Sequence, residues 1–221
     1  MEGKHHVEII DRALGSFFAA PALQEIIRAN LAQDALVNQL GTRPHFHFDD
    51  NKIAESLAYV ESEHARIRQL AGKPEAGPAQ RAALGRLTHA VQDFYAHSNY
   101  VDLWLAANGG LETTTPEQID ALDPALLEHP DLRSGYAIIW RDFVYYIPLL
   151  GPLMRRIYVA PDSHEAMNLD HPKKGPKFAY AMEAACQRTL HEYRRAAQNV
   201  QEAGGEQALR QFQQRAPGRG A

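Results

Sequence analysis

His89, Asp93 and His97 follow one another at intervals of four residues inside the run Leu87 to His97. At 100° per residue on a helix they stand at about 0°, 40° and 80°, a single narrow stripe. Imidazole nitrogen and carboxylate oxygen are zinc donors at roughly 2.0–2.2 Å, so the stripe offers part of a metal site. A solvated face with accidental spacing is the plainer alternative, and three donors in register count against it. Leu84, Leu87, Val91 and Phe94 fall on the opposite side of the same helix, which predicts a core-facing surface there.

His64 is a second signal. Ile53, Leu57, Val60, Ile67 and Leu70 lie at offsets 0, 4, 7, 14 and 17, and His64 stands at offset 11, in the gap of that stripe. Such a histidine is either a satisfied core residue or a ligand. Two loops carry further candidates: His47-Phe48-Asp49, which offers a carboxylate, and Ser163 to Pro172 with His164, Asp170 and His171. Loops on a rigid frame commonly hold ligands. Asp49 or Asp50 would equally serve as a helix cap, and His171-Pro172 as a turn.

The elements that must position these groups read as helices nearly throughout, with no strand alternation or long repeat. Helices are expected from His6 to Leu14, Pro21 to Leu31, Asn51 to Leu70, Ala79 to Ala107, Ser134 to Val144 and Lys177 to Ala203. The fold class is therefore all-α, with several helices packed together. Residues 1–203 are expected to form one helical domain, with 111–161 as an insertion and 204–221 as a polar C-terminal tail.

Composition is ordinary for a globular chain of 221 residues, 45% hydrophobic and 23% charged. One cysteine excludes a disulfide framework, and a net charge of −4 gives no general pull toward nucleic acid. The 11 histidines outnumber the 9 tyrosines, which is why their placement matters. The N-terminus lacks the apolar core of a secretory signal, and no apolar run reaches the roughly 18 residues of a membrane span. The expectation is a chain that is cytoplasmic as synthesised, with export open only to a route that needs no signal peptide.

The sequence resembles the zinc-dependent phospholipase C superfamily, most closely its heterokaryon-incompatibility C (Het-C) branch. The motifs are His6-x-x-Ile9-x-x-x-Ala13-Leu14, His47-Phe48-Asp49, Leu87 to Tyr100, and Ser163-His164-x-x-Met167-Asn168-Leu169-Asp170. Fungal zinc nucleases acting on single strands are wider relatives. The resemblance implies a helical bundle holding two or three zinc ions. It places Asp49, His64, His89 and Asp93 about the first, His97, His164 and a carboxylate about the second, and His6 at the third. The family's second carboxylate would fall at Asn168, a poor ligand, so Asp170 is expected to take that place.

The activity implied is phosphodiester hydrolysis by a zinc-dependent phospholipase C, releasing diacylglycerol and a phosphorylated head group from a phospholipid at a membrane surface. A zinc-bridging hydroxide would attack phosphorus, with Asp49 assisting its deprotonation. The run Tyr145 to Leu150, followed by Arg155 and Arg156, is either a lipid-facing lip or a core helix end. No stable nucleic-acid partner is expected. The competing readings are a zinc nuclease on single-stranded nucleic acid and a non-catalytic helical interaction module.

Overall fold

The computed structural model describes residues 1–35, 43–136, 147, 150–151 and 159–214. Among them are eight α-helices and no strand, so the fold is an all-α multi-helix bundle. The helices are α1 (Gly3–Leu14), α2 (Ala20–Leu31), α3 (Ile53–Leu70), α4 (Gly77–His97), α5 (Tyr100–Ala107), α6 (Pro124–Leu127), α7 (His164–Met167) and α8 (Lys177–Gln213).

Helix α4 is the axle. From Ala83 to His97 every residue but Arg86 is buried, because α2, α3 and α8 pack around it. Leu84, Leu87, Val91 and Phe94 form its apolar side as the spacing predicts, and the polar stripe is buried too. Gly85 lets α2 come close: a Cβ there would lie 2.3 Å from the Ile26 carbonyl oxygen. Helix α1 lies against α8 and α2, turning His6 inward together with Ile9, Ile10 and Leu14.

Two boundaries differ from the periodicity. The helix expected to run from Ala79 to Ala107 breaks after His97, where Ser98 is extended (φ −108°, ψ 168°). Asn99 accounts for the break: its backbone N–H donates to the Arg133 carbonyl, and its side-chain Oδ1 accepts from the Arg133 N–H. The last helix does not end near Ala203. It kinks at Gly205 (φ 74°, ψ −177°) and continues to Gln213, burying Ala208 and Phe212. Arg81 Nη1 donates to the carbonyls of Gln211 and Phe212 at 3.0 Å, so residues 204–213 are packed rather than a loose tail.

The insertion contributes backbone rails. Ser98 bridges Ser134, and Tyr136 bridges Ser163. The expected helix beyond Ser134 and the apolar lip at 145–150 with Arg155 and Arg156 lie largely outside the described residues. No described helix is long and apolar enough to cross a membrane.

Candidate metal centre

The stripe on α4 faces α1, the loop after η-turn Pro44–Phe46 and the segment 163–170, and donors from all four converge. His89 Nε2 and His47 Nδ1 lie 3.0 and 2.9 Å from Asp93 Oδ2 and 3.0 Å from each other. His6 Nε2 is 3.3 Å from Asp93 Oδ1, and its ring stacks on His89 with centroids 4.4 Å apart. Asp34 Oδ1 reaches within 3.7 Å of His89 Nε2. The heart of this inner group is closed to solvent, with His6 and His89 at 0% and Asp93 at 1% exposure, while Asp34 at its edge is partly exposed.

An outer group adjoins it. His164 Nδ1 donates to Asp49 Oδ1 at 3.0 Å, and His97 Nε2 meets Asp170 Oδ1 at 3.0 Å. His97 Nδ1 is 3.3 Å from Asp49 Oδ1, and His164 Nε2 is 3.7 Å from Asp170 Oδ2. The Met1 amino group sits between the groups, 2.7 Å from Asp93 Oδ1 and 2.9 Å from Asp170 Oδ1.

The backbone explains this convergence. Phe48, Asp50 and Asn51 all have positive φ, a conformation L residues rarely take. This tight path sends Phe48 into the core against Phe94 while His47 and Asp49, on either side of it, face the site. Asp49 thus does not cap α3, whose N-cap is Lys52 without a side-chain bond. Gly135 donates its N–H to the His97 carbonyl, and its own carbonyl accepts from Asp50. Leu169 N–H donates to the Ala96 carbonyl at 2.7 Å, which sets Asp170 beside His97.

Behind the inner group a second row of polar groups orients the rings. Gln92 Oε1 accepts from His6 Nδ1 at 2.6 Å and from Asn30 Nδ2 at 3.1 Å, while Gln92 Nε2 donates to Thr189. Asn30 Oδ1 lies 3.4 Å from His89 Nδ1, and the His47 carbonyl accepts from His97 Nδ1 at 3.0 Å. With Nδ1 engaged in this way, Nε2 of His6, His89 and His97 is the ring nitrogen that faces the carboxylates, an orientation that second-row partners give metal-ligating histidines.

Electrostatics separates the groups. Burial, partly offset by Asp93, depresses His89 to about 4, so its imidazole is neutral near pH 7. His164 moves the other way: burial is the largest single influence and opposes its charge, but the attraction of Asp49 and the hydrogen bonds to Asp49 and Asp170 together outweigh it and raise the ring to about 9. Asp93, Asp49 and Asp170 all stay well below the usual carboxylate range despite burial, through the Met1 amino group and the facing histidines. Three carboxylates, Asp93 buried and Asp49 and Asp170 partly so, thus draw the cations within reach.

Of the sequence-derived candidates, His6, Asp49, His89, Asp93, His97, His164 and Asp170 come together. His64 does not join them. Its Nε2 is 2.7 Å from Glu192 Oε2, and Arg188 Nε donates to Glu192 Oε1 at 2.5 Å, which is a satisfied core histidine. His47 and Asp34 belong to the inner group and were not expected; His47 stands two residues before Asp49, the one signal that pointed to it.

Against this geometry, the family model of the VWA7 N-terminal domain matches residues 10–109. The chain is similar to VWA7 proteins. Von Willebrand factor A domain-containing protein 7 of Rattus norvegicus and of Homo sapiens are each 38% identical to it over 82 residues, 37% of this chain. The Mus musculus protein is 37% identical over the same length. The matched stretch is only 9% of each of these relatives. No solved structure matches the chain.

These matches overturn the resemblance to the zinc-dependent phospholipase C superfamily and its Het-C branch, and with it the phospholipase C, nuclease and phospholipid-substrate readings. The reason lies in what the motifs measure. Donors at i, i+4 and i+8 report a helix face that suits a cation, and that face is independent of the reaction, if any, beside it.

Proposed function

We propose that the chain is a helical interaction module braced by zinc rather than a catalyst. Two ions are assigned: one to His6, His47, His89 and Asp93, the other to Asp49, His97, His164 and Asp170. The observation that carries the reading is the buried inner group, in which His47 and His89 lie 2.9 and 3.0 Å from Asp93 Oδ2, His6 lies 3.3 Å from Asp93 Oδ1, and His6, His89 and Asp93 each offer a donor atom within 4.8 Å of the other two. Ligands of one tetrahedral zinc stand about 3.3 Å apart, given bonds of roughly 2.0–2.1 Å. His6 Nε2 is buried without a hydrogen-bond partner, an orphan a cation would satisfy.

Structural zinc sites are closed by protein donors, whereas catalytic ones keep a position open for water. The burial of His6, His89 and Asp93 supports the first kind. When bound, zinc would neutralise Asp93 and tie α1 and the His47 loop to α4. The similarity supports the module part of the reading: the match falls on a domain model called N-terminal, in proteins named for a different, von Willebrand factor A, domain.

The test is metal content. Protein prepared without chelators and dialysed against trace zinc is expected to hold about two zinc ions per chain by plasma mass spectrometry. His89→Ala and Asp93→Ala should each lower that number by about one while circular dichroism stays helical. Zinc-free wild-type protein, or unchanged content in Asp93→Ala, overturns the assignment.

A further inference from the structure

The heart of the inner group is shut off from water, yet an ion has to reach it from water. A divalent cation crosses a low-dielectric interior only where protein donors answer each water it gives up. The donors around Asp93 differ sharply in this respect. The side chains of His89 and Asp93 are 0% and 1% exposed, while His47 stands at 8% and Asp34, on the turn Ala32–Asp34 that follows α2, at 27%. Asp34, His47 and His89 each offer a donor atom within 4.8 Å of the other two, and so do His6, His89 and Asp93. His89 belongs to both sets. Exposure therefore falls stepwise from Asp34 through His47 to a residue that the buried set shares.

Both walls of this approach are braced from one point on α3. Gln33, next to Asp34, donates from Nε2 to the Tyr59 hydroxyl at 2.9 Å. Phe46, next to His47, stacks on the Tyr59 ring with centroids 4.5 Å apart. Tyr59 thus fixes the Asp34 turn relative to the His47 loop. The opposite side of Asp93 is different: the Met1 amino group lies 2.7 Å from Asp93 Oδ1 and 2.9 Å from Asp170 Oδ1, a positive charge in the path of a cation coming from the outer group. A carboxylate at the mouth of a low-dielectric cleft raises the local concentration of its counter-ion and speeds arrival by about 10–10³-fold.

We propose that Asp34 is the entry ligand of the inner site: with His47 and His89 it receives a zinc ion from water, and His6 and Asp93 then take its place. His47 and His89 keep hold throughout, so each protein donor that joins displaces a water or Asp34. Asp34 Oδ1 lies 3.7 Å from His89 Nε2 and is not one of the four donors assigned to the resident ion. The proposal rests on the zinc reading and adds a route to it. A group that acts only on the way lowers the barrier equally in both directions, so its loss slows uptake and release alike and leaves the dissociation constant unchanged.

The test uses the full chain, stripped with a chelator and mixed with zinc alone in a stopped-flow cell, free zinc being followed with a fluorescent indicator. Release is followed from the loaded chain with the indicator in excess. The phase that His89→Ala removes belongs to the inner ion. Asp34→Asn keeps the size of the side chain and removes its charge; it is expected to slow that phase by about tenfold or more in both directions. Zinc content by plasma mass spectrometry should stay at the wild-type value, and Asp34→Glu, which returns the charge, should restore both rates. Unchanged rates in Asp34→Asn overturn the proposal. So does faster release with lower zinc content, which would make Asp34 a resident ligand, and so does slower uptake with unchanged release, which would make it a general attraction. A wild-type chain that takes up no zinc removes the zinc reading and this one together, whereas zinc bound at rates indifferent to Asp34 removes this one alone.

Discussion

His64 and His89 show how one neighbour decides a histidine's role. Both are buried, yet His64 meets Glu192 and His89 meets Asp93 within a ring of further donors. Periodicity placed His64 inside an apolar stripe and so marked it as interior. Its partner lies 128 residues away on α8, and no local spacing reveals that. Asp93 was legible because its companions sit on its own helix turns, whereas His47 depended on the path of a loop with positive φ at Phe48. The His64–Glu192 pair makes a pH prediction with a definite sign. Burial opposes the Glu192 charge, but the His64 hydrogen bond and Arg188 hold it at about 2, below the ordinary 4.5. A depressed carboxylate contributes stability above its unfolded value and loses it as pH falls through the folded one. Wild-type urea midpoints should therefore drop between about pH 4.5 and 2, and Glu192→Gln should flatten that part of the profile. At pH 7 the same variant should cost about 3 kcal/mol, the scale of breaking a buried pair, with zinc content unchanged.

At the scale of elements, most helices follow from their apolar spacing, because α2, α3, α4 and α8 bury one another along their lengths. The departures occur where long-range backbone bonds outweigh local preference. Nothing between Ala79 and Ala107 breaks a helix by composition; the break after His97 comes from Asn99 pairing with Arg133 across 34 residues. The same rail makes Gly135 a positioning residue for the outer group. A Cβ at Gly135 would lie 2.7 Å from His164 Cα and 2.9 Å from its nitrogen, backbone atoms that cannot swing aside. Gly135→Ala should push α7 off the rail, at a cost of about 1–3 kcal/mol by analogy with overpacking. Its expected signature is loss of the outer zinc alone, read as a fall of about one ion per chain with the inner group retained. Loss of both ions, or of neither, would show that the two groups are not held separately.

Residues 204–213 make the corresponding case at the C-terminal end. Their composition, rich in Gln, Gly and Arg, reads as a solvated tail, and only Leu209 and Phe212 carry large apolar side chains. Phe212 is nonetheless fully buried, edge-on to Phe18 at 5.3 Å between ring centroids, and Arg81 ties the adjoining carbonyls to α4. One aromatic anchor is enough to order a turn whose other faces are polar. Phe212→Ala should destabilise the bundle by about 3–5 kcal/mol in urea unfolding, the range for a buried aromatic truncated to alanine. A change below about 1 kcal/mol, the range of ordinary surface substitutions, would return the segment to a tail.

Over the whole molecule the proposed zinc acts where hydrophobic contact is thinnest. The bundle of α2, α3, α4 and α8 shares a continuous core, which the His47 loop joins chiefly through Phe48 and the segment 163–170 through the partly buried Leu169, the rest of their contact being polar groups and backbone bonds. A ligand bound only by the native state adds stability set by its excess over the dissociation constant, about 4 kcal/mol at a thousandfold excess. Chelation should accordingly lower the melting temperature. It should also leave a distinct pattern in hydrogen exchange, because local stability is uneven across a fold. Amides around Gly135, His164 and Leu169, and those at the start of α1, should exchange faster by at least tenfold, while those of α4 between Ala83 and Val91 should keep most of their protection. Zinc readdition should reverse both effects. Acceleration spread evenly through α2, α4 and α8 would instead mean that the metal holds up the entire bundle, and no change anywhere would remove zinc from the account of this fold.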